Sequence, residues 1–224
     1  MTEQHWYEFD PEVEAFSTID GDTLPYDVVT AYQVHGFRVA KITDPGTTRE
    51  ELQDYDALMT NIPGCAIGVR TADCVPLLFH DPVHKAVAAA HSGWKGTVQK
   101  ISQKTIIAMM REYGTRPDDV KVIIGPSISK KCFQVGNEVI QFFKEAGFPM
   151  EQIWSWDGVR QDGSYEGGHH IDLVEASKWL LTEFGVKKEN IFESGICSYS
   201  DEHFFSARRD GYNTGRTISA IKLK

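Results

Sequence analysis

Val75-Pro76-Leu77-Leu78-Phe79-His80-Asp81-Pro82-Val83-His84-Lys85-Ala86-Val87-Ala88-Ala89-Ala90-His91 is the stretch on which the fold turns. The apolar run Val75–His80 is followed by Asp81-Pro82-Val83-His84, where Pro at the second position fits a type I turn. Lys85–His91 then reads as the returning strand, so the two runs predict an antiparallel pair. Small residues fill that strand (Ala86, Ala88, Ala89, Ala90), which lets a neighbouring element, such as a helix, pack closely against it. Directly afterwards Trp94, Val98, Ile101, Thr105, Ala108 and Met109 recur at three- and four-residue steps up to Tyr113. That period predicts one helix, with Gly114 as its stop.

Working outward, Val28–Val34, Phe37–Ile42, Asp56–Thr60 and Ala66–Arg70 read as short strands. Val120–Ile124 reads as a buried strand ending at Gly125-Pro126. Val139, Ile140, Phe142 and Phe143 predict a second helix stopped by Gly147. Asp172 caps a third, in which Leu173, Ala176, Leu180 and Phe184 form one stripe before Gly185. Thr217–Leu223 alternates as a final strand. Strands and helices in this order indicate α/β (α+β), with layered mixed β-sheets flanked by helices. Residues 1–27 are acidic and weakly patterned, with turn signals at Asp20-Gly21-Asp22 and Pro25, and are expected to form an irregular arm. Residues 28–224 are expected to form a single catalytic domain.

The chain has 224 residues, enough for one sizeable core, and its 41% apolar and 25% charged content is that of an ordinary globular protein. A net charge of −9 argues against a surface that tracks nucleic-acid phosphates or anionic lipid, while leaving room for one bound anion. No apolar run approaches the length of a membrane span. Met1-Thr2-Glu3-Gln4-His5-Trp6 lacks the basic and apolar segments of a signal peptide, so a cytoplasmic setting is expected. Cys65, Cys74, Cys132 and Cys197 are widely spaced, with no Cys-x-x-Cys pair, and are expected to be thiols.

Three residues concentrate the chemistry. His35 stands before Gly36, where the chain turns; Cys74 follows Asp73 just ahead of an apolar strand; His91 ends a strand before Ser92-Gly93. Two imidazoles and a thiol suit a zinc ion with an open fourth position. Each residue also has a plainer reading: a hydrogen-bonded histidine at a strand end, a small buried hydrophobe, and a neighbour of a Ser92 helix cap. Strand alternation would send Asp73 and Cys74 to opposite faces, so Asp73 is expected to brace the site rather than ligate. His80 and His84 are expected to be solvated beside their turn, His169-His170 to lie in a loop, and His203 could line a pocket. Arg208, Arg209 and Arg216 surround turn residues near the C-terminus. Either they pair with surface carboxylates or they grip an anion, and the local basic excess in an acidic chain favours the anion. Gly125–Ser129 and Cys132–Gly136 form a turn-rich loop, a common place for substrate contacts.

Gln33-Val34-His35-Gly36, Thr71-Ala72-Asp73-Cys74-Val75-Pro76, His91-Ser92-Gly93-Trp94-Lys95-Gly96, Gly125-Pro126-Ser127-Ile128, Arg208-Arg209-Asp210-Gly211 and Thr214-Gly215-Arg216 together resemble the laccase-domain (YfiH/YlmD-type) family. Its members were once called polyphenol oxidases or multicopper laccases, and are now understood as purine nucleoside phosphorylases with adenosine deaminase activity. The resemblance implies a catalytic zinc on His35, Cys74 and His91 and a cysteine-hydrolase-like layered architecture. Its substrates would be adenosine, inosine and methylthioadenosine, with inorganic phosphate. A multicopper site would need more histidines than this chain places in ligand-like contexts. On this reading Asp73 or Asp56 moves protons, Arg209 and the amides near Ser92 hold phosphate, and Gln33, Ser92, Lys95, Phe133 and Arg208 contact substrate. The chain departs from the family pattern where Ile19-Asp20-Gly21-Asp22 follows Phe16-Ser17-Thr18. The Arg, Gly-Gly-Val-Ser-like and Ser-Leu-Asn segment usual there is missing. Lys95 stands where Arg is common, and Gln134 where Glu often lies. Two other readings remain: a metal-free thiol hydrolase or amidase using Cys74 and His91, and an inactive nucleoside-binding module. A monomer or small homo-oligomer is expected.

Overall fold

The computed structural model describes residues 4–19, 23–159 and 165–224; the expected turn at Asp20-Gly21-Asp22 lies outside them. In chain order the strands are β1 (His5–Trp6), β2 (Val13–Ser17), β3 (Val39–Lys41), β4 (Ala57–Thr60), β5 (Ile67–Thr71), β6 (Val75–Asp81) and β7 (Ala86–Ser92). Helices α1 (Trp94–Val98) and α2 (Ile101–Tyr113) follow, then β8 (Lys121–Ile124), β9 (Gln134–Val135), α3 (Asn137–Glu145) and α4 (Met150–Ile153). The remaining elements are β10 (Trp154–Val159), β11 (Tyr165–Ile171), α5 (Leu173–Glu183), β12 (Ile191–Glu193), α6 (Ala207–Asp210) and β13 (Thr217–Leu223).

A six-stranded mixed sheet, ordered β12-β8-β6-β7-β4-β3, forms the middle layer. Its β6–β7 pair is antiparallel from Val75↔Ser92 to Asp81↔Ala86, as the turn signal predicts. The Asp81 carboxylate closes that turn by accepting the amides of Val83 and His84. Alternation then sorts the side chains onto two cores. Leu77, Phe79, Ala86, Ala88 and Ala90 face α2, α3 and α5, together with Ile106, Phe143 and Leu180. Leu78, Val87 and Ala89 face a four-stranded sheet, β1-β2-β13-β5, and pack with Ile67, Val69 and Ile221. The alanine strand β7 is thus pressed from both sides, by α2 and by β5. A smaller sheet, β10-β11-β9, flanks the helical layer.

Several expectations are revised. Val13–Ser17, inside the stretch expected to be an irregular arm, is a strand whose Ala15 and Phe16 are buried beside β13. Its few apolar residues alternate too briefly to stand out in sequence. Val28–Val34 makes isolated bridges at Val29 and Tyr32 rather than a strand. The helix expected from Trp94 to Tyr113 is two helices, broken where Lys100 turns left-handed at φ 61°. His169 and His170 lie in β11, paired with Val135 and Gln134. His80 is fully buried, not solvated, and its ring faces Phe9. His203 is largely exposed beside Asp201 rather than lining a pocket. No helix among the described residues is long and apolar enough to cross a membrane.

Candidate metal centre and surrounding cleft

One buried carboxylate organises two of the three expected ligands. Asp56, 1% exposed at the entry to β4, accepts the amides of Val34 (3.1 Å), His35 (2.9 Å) and Gly36 (2.7 Å). These bonds hold the turn in which His35 adopts a left-handed φ of 60°. The Asp56 carboxylate also takes the Nδ1 proton of His91 at 2.8 Å, which leaves Nε2 of that ring for a ligand. Cys74 arrives separately, where the chain passes from β5 in one sheet to β6 in the other. The preceding Asp73, at φ 87°, makes that reversal.

The donor atoms of His35, Cys74 and His91 all lie within 4.8 Å of one another. The two imidazoles meet edge to face, 4.8 Å between centroids. His91 is buried, Cys74 half-buried and His35 exposed, so the set is walled on the core side and open towards solvent. Electrostatics make Cys74 a thiolate, its ligating form, paired with a charged His91 that would release its proton to a metal. Burial alone would raise the Cys74 thiol, but the two imidazoles outweigh it and bring it down to about 6. Burial would lower His91, but the Cys74 thiolate and Asp56 push it up to about 9. Asp56 itself lies below the usual carboxylate range, since its hydrogen bonds overcome burial. A β-carbon at Gly93 would come within 2.9 Å of Cys74 Sγ and 3.0 Å of His35 Cδ2, so the cradle needs glycine there.

This set fits a metal ion. A tetrahedral zinc with nitrogen at about 2.0–2.1 Å and sulfur at about 2.3 Å spaces its donors by about 3.3–3.6 Å, within reach of these side chains. A carboxylate behind a ligating histidine is a usual support for such an ion. A second grouping, Asp10, Glu12 and His80, is also close-set, but Lys121 Nζ lies 2.7 Å from Asp10 Oδ2 and already supplies a cation there.

The set opens into a cleft of about 840 Å³. Of the residues expected in the site, Gln33, Asp73, Lys95, Phe133 and Arg208 line it. Both Asp73 oxygens are engaged, by Ser198 Oγ (2.8 Å) and the Arg208 amide (2.7 Å). Gln33 is locked by two 2.8 Å bonds to the Arg70 backbone, and the Arg208 guanidinium holds the Gln134 carbonyl. Three expected residues stand elsewhere. Asp56 lies behind His91. Ser92 is buried with its hydroxyl on Thr97 Oγ1, and Gly93 rather than Ser92 caps the one-turn helix α1. Arg209 spends its guanidinium on the carbonyls of Ser198, Tyr199, Asp201 and Phe204 and on Asp210, bracing the C-terminal loop.

Two arginines not expected from sequence, Arg49 and Arg70, join the expected Arg216 in the place intended for Arg209. Arg49, Arg70 and Arg216 line the same cleft. Burial, and then the like charges of Arg49 and Arg216, weaken the hold of Arg70 on its proton. Its guanidinium has no protein hydrogen-bond partner among the described residues. A half-buried guanidinium crowded by like charges has the chemistry that an anion neutralises. Its trace in the sequence was a single charge closing the otherwise apolar run Ala66–Arg70. Arg49 left no trace.

Residues 17–224 match the model of a family described as multi-copper polyphenol oxidoreductase laccase. A protein of Bacteroides thetaiotaomicron named purine nucleoside phosphorylase is 40% identical over 207 residues, covering 89% of this chain and 74% of its own length. A protein from an unknown prokaryotic organism named adenosine deaminase RL5 is also 40% identical, over 88% of this chain and 76% of its own. The crystal structure of Bacillus licheniformis hypothetical protein YfiH superposes with a TM-score of 0.87 at 27% identity, covering 100% of this chain and 97% of that one. With a match over nearly its whole length and two relatives at this identity, the chain belongs to the laccase-domain family of YfiH-like proteins.

Proposed function

We propose that this chain is a zinc-dependent purine nucleoside phosphorylase, acting on adenosine, inosine and methylthioadenosine with phosphate, that also deaminates adenosine. The observation that carries the reading is the meeting, in one cleft, of the His35–Cys74–His91 set with the Arg49–Arg70–Arg216 cluster. One supplies a metal position and the other an anion position, and phosphorolysis needs an anion as nucleophile. The names of the relatives support purine nucleosides, adenosine among them, as the substrate class. A copper oxidase is disfavoured because the described residues assemble one set of two histidines and a cysteine without a competing cation, too few for several coppers.

His35, Cys74 and His91 would hold the zinc, and a zinc ion there would supply Lewis-acid polarisation of a substrate oxygen or water. Arg70 binds phosphate, with Arg49 and Arg216 adding charge, and Gln33 positions Arg70 through its backbone. Phosphate oxygen attacks the anomeric carbon, the glycosidic bond breaks, and its electron pair passes to the purine, which takes up a proton. The products are the free base and ribose 1-phosphate, or the corresponding sugar phosphate. Phe133 offers the purine an apolar face, and Lys95 a further cation at the cleft wall. In deamination, water adds at purine C6 and ammonia leaves. Of the two carboxylates expected to move protons, Asp73 is the one that reaches the cleft; Asp56 positions His91. The protein works as a single cysteine-hydrolase-like catalytic domain, taken from β2 rather than from Val28, in the cytoplasm, as a monomer or small homo-oligomer.

The test is base release from inosine and ammonia release from adenosine, each with and without phosphate. Hypoxanthine should appear only with phosphate, ammonia without it, and both should vanish in Cys74→Ser. Tight nucleoside binding by zinc-loaded protein without either product would instead make the chain a binding module. The Cys74–His91 ion pair would also equip a thiol nucleophile. Activity on amides that survives chelation but not alkylation would favour that reading.

A further inference from the structure

Two of the four cysteines remain outside the metal centre and within reach of solvent. Cys65 is buried and its thiol is pushed up by burial. Cys132 and Cys197, by contrast, are both half-buried and their sulfurs lie 3.8 Å apart. We propose that Cys132 and Cys197 form a hydroperoxide-reactive thiol pair that closes to a disulfide at the rim of the cleft. They stand 65 positions apart in sequence, and the two loops are brought together by backbone bonds. Ser127 accepts the Ser198 amide and donates its own to Ile196. This bridging fixes the loop of Cys197 against the segment leading to Cys132.

The surroundings divide the labour between the two sulfurs. Cys197 Sγ accepts the Ser129 amide at 3.3 Å, while Cys132 Sγ sits 3.5 Å from Ser200 Oγ. Burial would raise the Cys197 thiol, but hydrogen bonds from Ser129 and Ser200 bring it down to about 7. A large part of it is therefore thiolate near neutrality, the form that attacks peroxide. Cys197 is the attacking thiol and Cys132 the resolving one.

Both steps balance. The Cys197 thiolate attacks one oxygen of the hydroperoxide; an S–O bond forms, the O–O bond breaks, and the second oxygen leaves as an alcohol or water. The Cys132 sulfur then attacks the sulfenic acid; the S–S bond forms and hydroxide leaves as water. Two thiols are oxidised and one peroxide is reduced. The sulfurs must close from 3.8 Å to about 2.0 Å, a movement that side-chain rotation and small loop shifts can supply.

The consequences would reach the cleft. Phe133 and Gln134 follow Cys132 directly and line it, and the Gln134 carbonyl anchors Arg208. Ser198 follows Cys197 and holds Asp73. The disulfide would therefore tie together the two segments that set Arg208 and Asp73.

The zinc-loaded full chain is treated with hydrogen peroxide, its intact mass is read before alkylation, and the alkylated sample is then examined by non-reducing peptide mapping. A loss of about 2 Da, a linked peptide pair containing Cys132 and Cys197, and full reversal by dithiothreitol are expected. Cys132→Ser should stop at a sulfenic acid on Cys197, trapped by dimedone, and Cys197→Ser should show neither product. Oxidation falling first on Cys74, or sulfinic acid on either cysteine without any linked peptide, would overturn the proposal. The mass result does not depend on whether the chain cleaves nucleosides.

Discussion

Replacing the Asp56 carboxylate leaves the amides of Val34, His35 and Gly36 and the imidazole of His91 competing for fewer acceptors. Asp56→Asn is therefore expected to weaken zinc affinity by about 10–100-fold, as for other supports behind ligating histidines. Chelator competition measures this, and unchanged affinity would show that the ligands position themselves. Cys74 makes a second prediction. In metal-stripped protein its thiolate is held by two imidazoles, so alkylation should reach half its maximal rate near pH 6. Below that pH the sulfur gains a proton and the rate falls; above it the rate levels off. A midpoint near the ordinary thiol value of about 8.5 would contradict the ion pairing. At this scale the grouping of His35, Cys74 and His91 was legible, because each stands in a motif at a strand end or a turn. Arg70 was not. Its proposed anion site draws on Arg49 and Arg216, which the sequence separates from it by 21 and 146 residues.

At the level of elements, the junction after β7 sets the site. Gly93 links that strand to α1, and Gly93→Ala would drive a methyl into Cys74 and His35. The expected outcome is lost metal with a largely preserved fold, measured by metal content alongside circular dichroism. The break between α1 and α2 offers another test. Lys100 holds a left-handed conformation that costs a residue with a β-carbon about 1 kcal/mol or more. Lys100→Gly should raise stability by up to about 1 kcal/mol, or roughly 2–4 °C in Tm, for a chain of this size. A drop in Tm would mean that the lysine side chain contributes contacts that outweigh the strain. Periodicity alone ran the two helices together, since apolar residues keep step across Gln99-Lys100. The β6–β7 hairpin, by contrast, was readable because its turn chemistry and its alternation agree.

For the molecule as a whole, the middle sheet is the part that everything else leans on. Helices cover one face and the β1-β2-β13-β5 sheet the other, and the alanines of β7 let both approach. Ala88→Leu adds three carbons where α2 already touches, and should destabilise by about 1–3 kcal/mol in chemical denaturation. A neutral effect would imply an unfilled space against that strand. The α/β class and the helical covering followed from the pattern of elements. The second sheet did not, because it joins strands from both chain ends to β5: β2 pairs with β13 across roughly two hundred residues, and no local pattern announces that. The same topology carries Cys74 from one sheet to the other and sets it beside His35 and His91. The central claim is that these three side chains act as one metal centre. Elemental analysis of the protein refolded with zinc and passed through a desalting column tests it most directly. One zinc per chain, absent from Cys74→Ser and from His91→Ala, is the predicted result; no retained zinc, or zinc that persists in both variants, would contradict it.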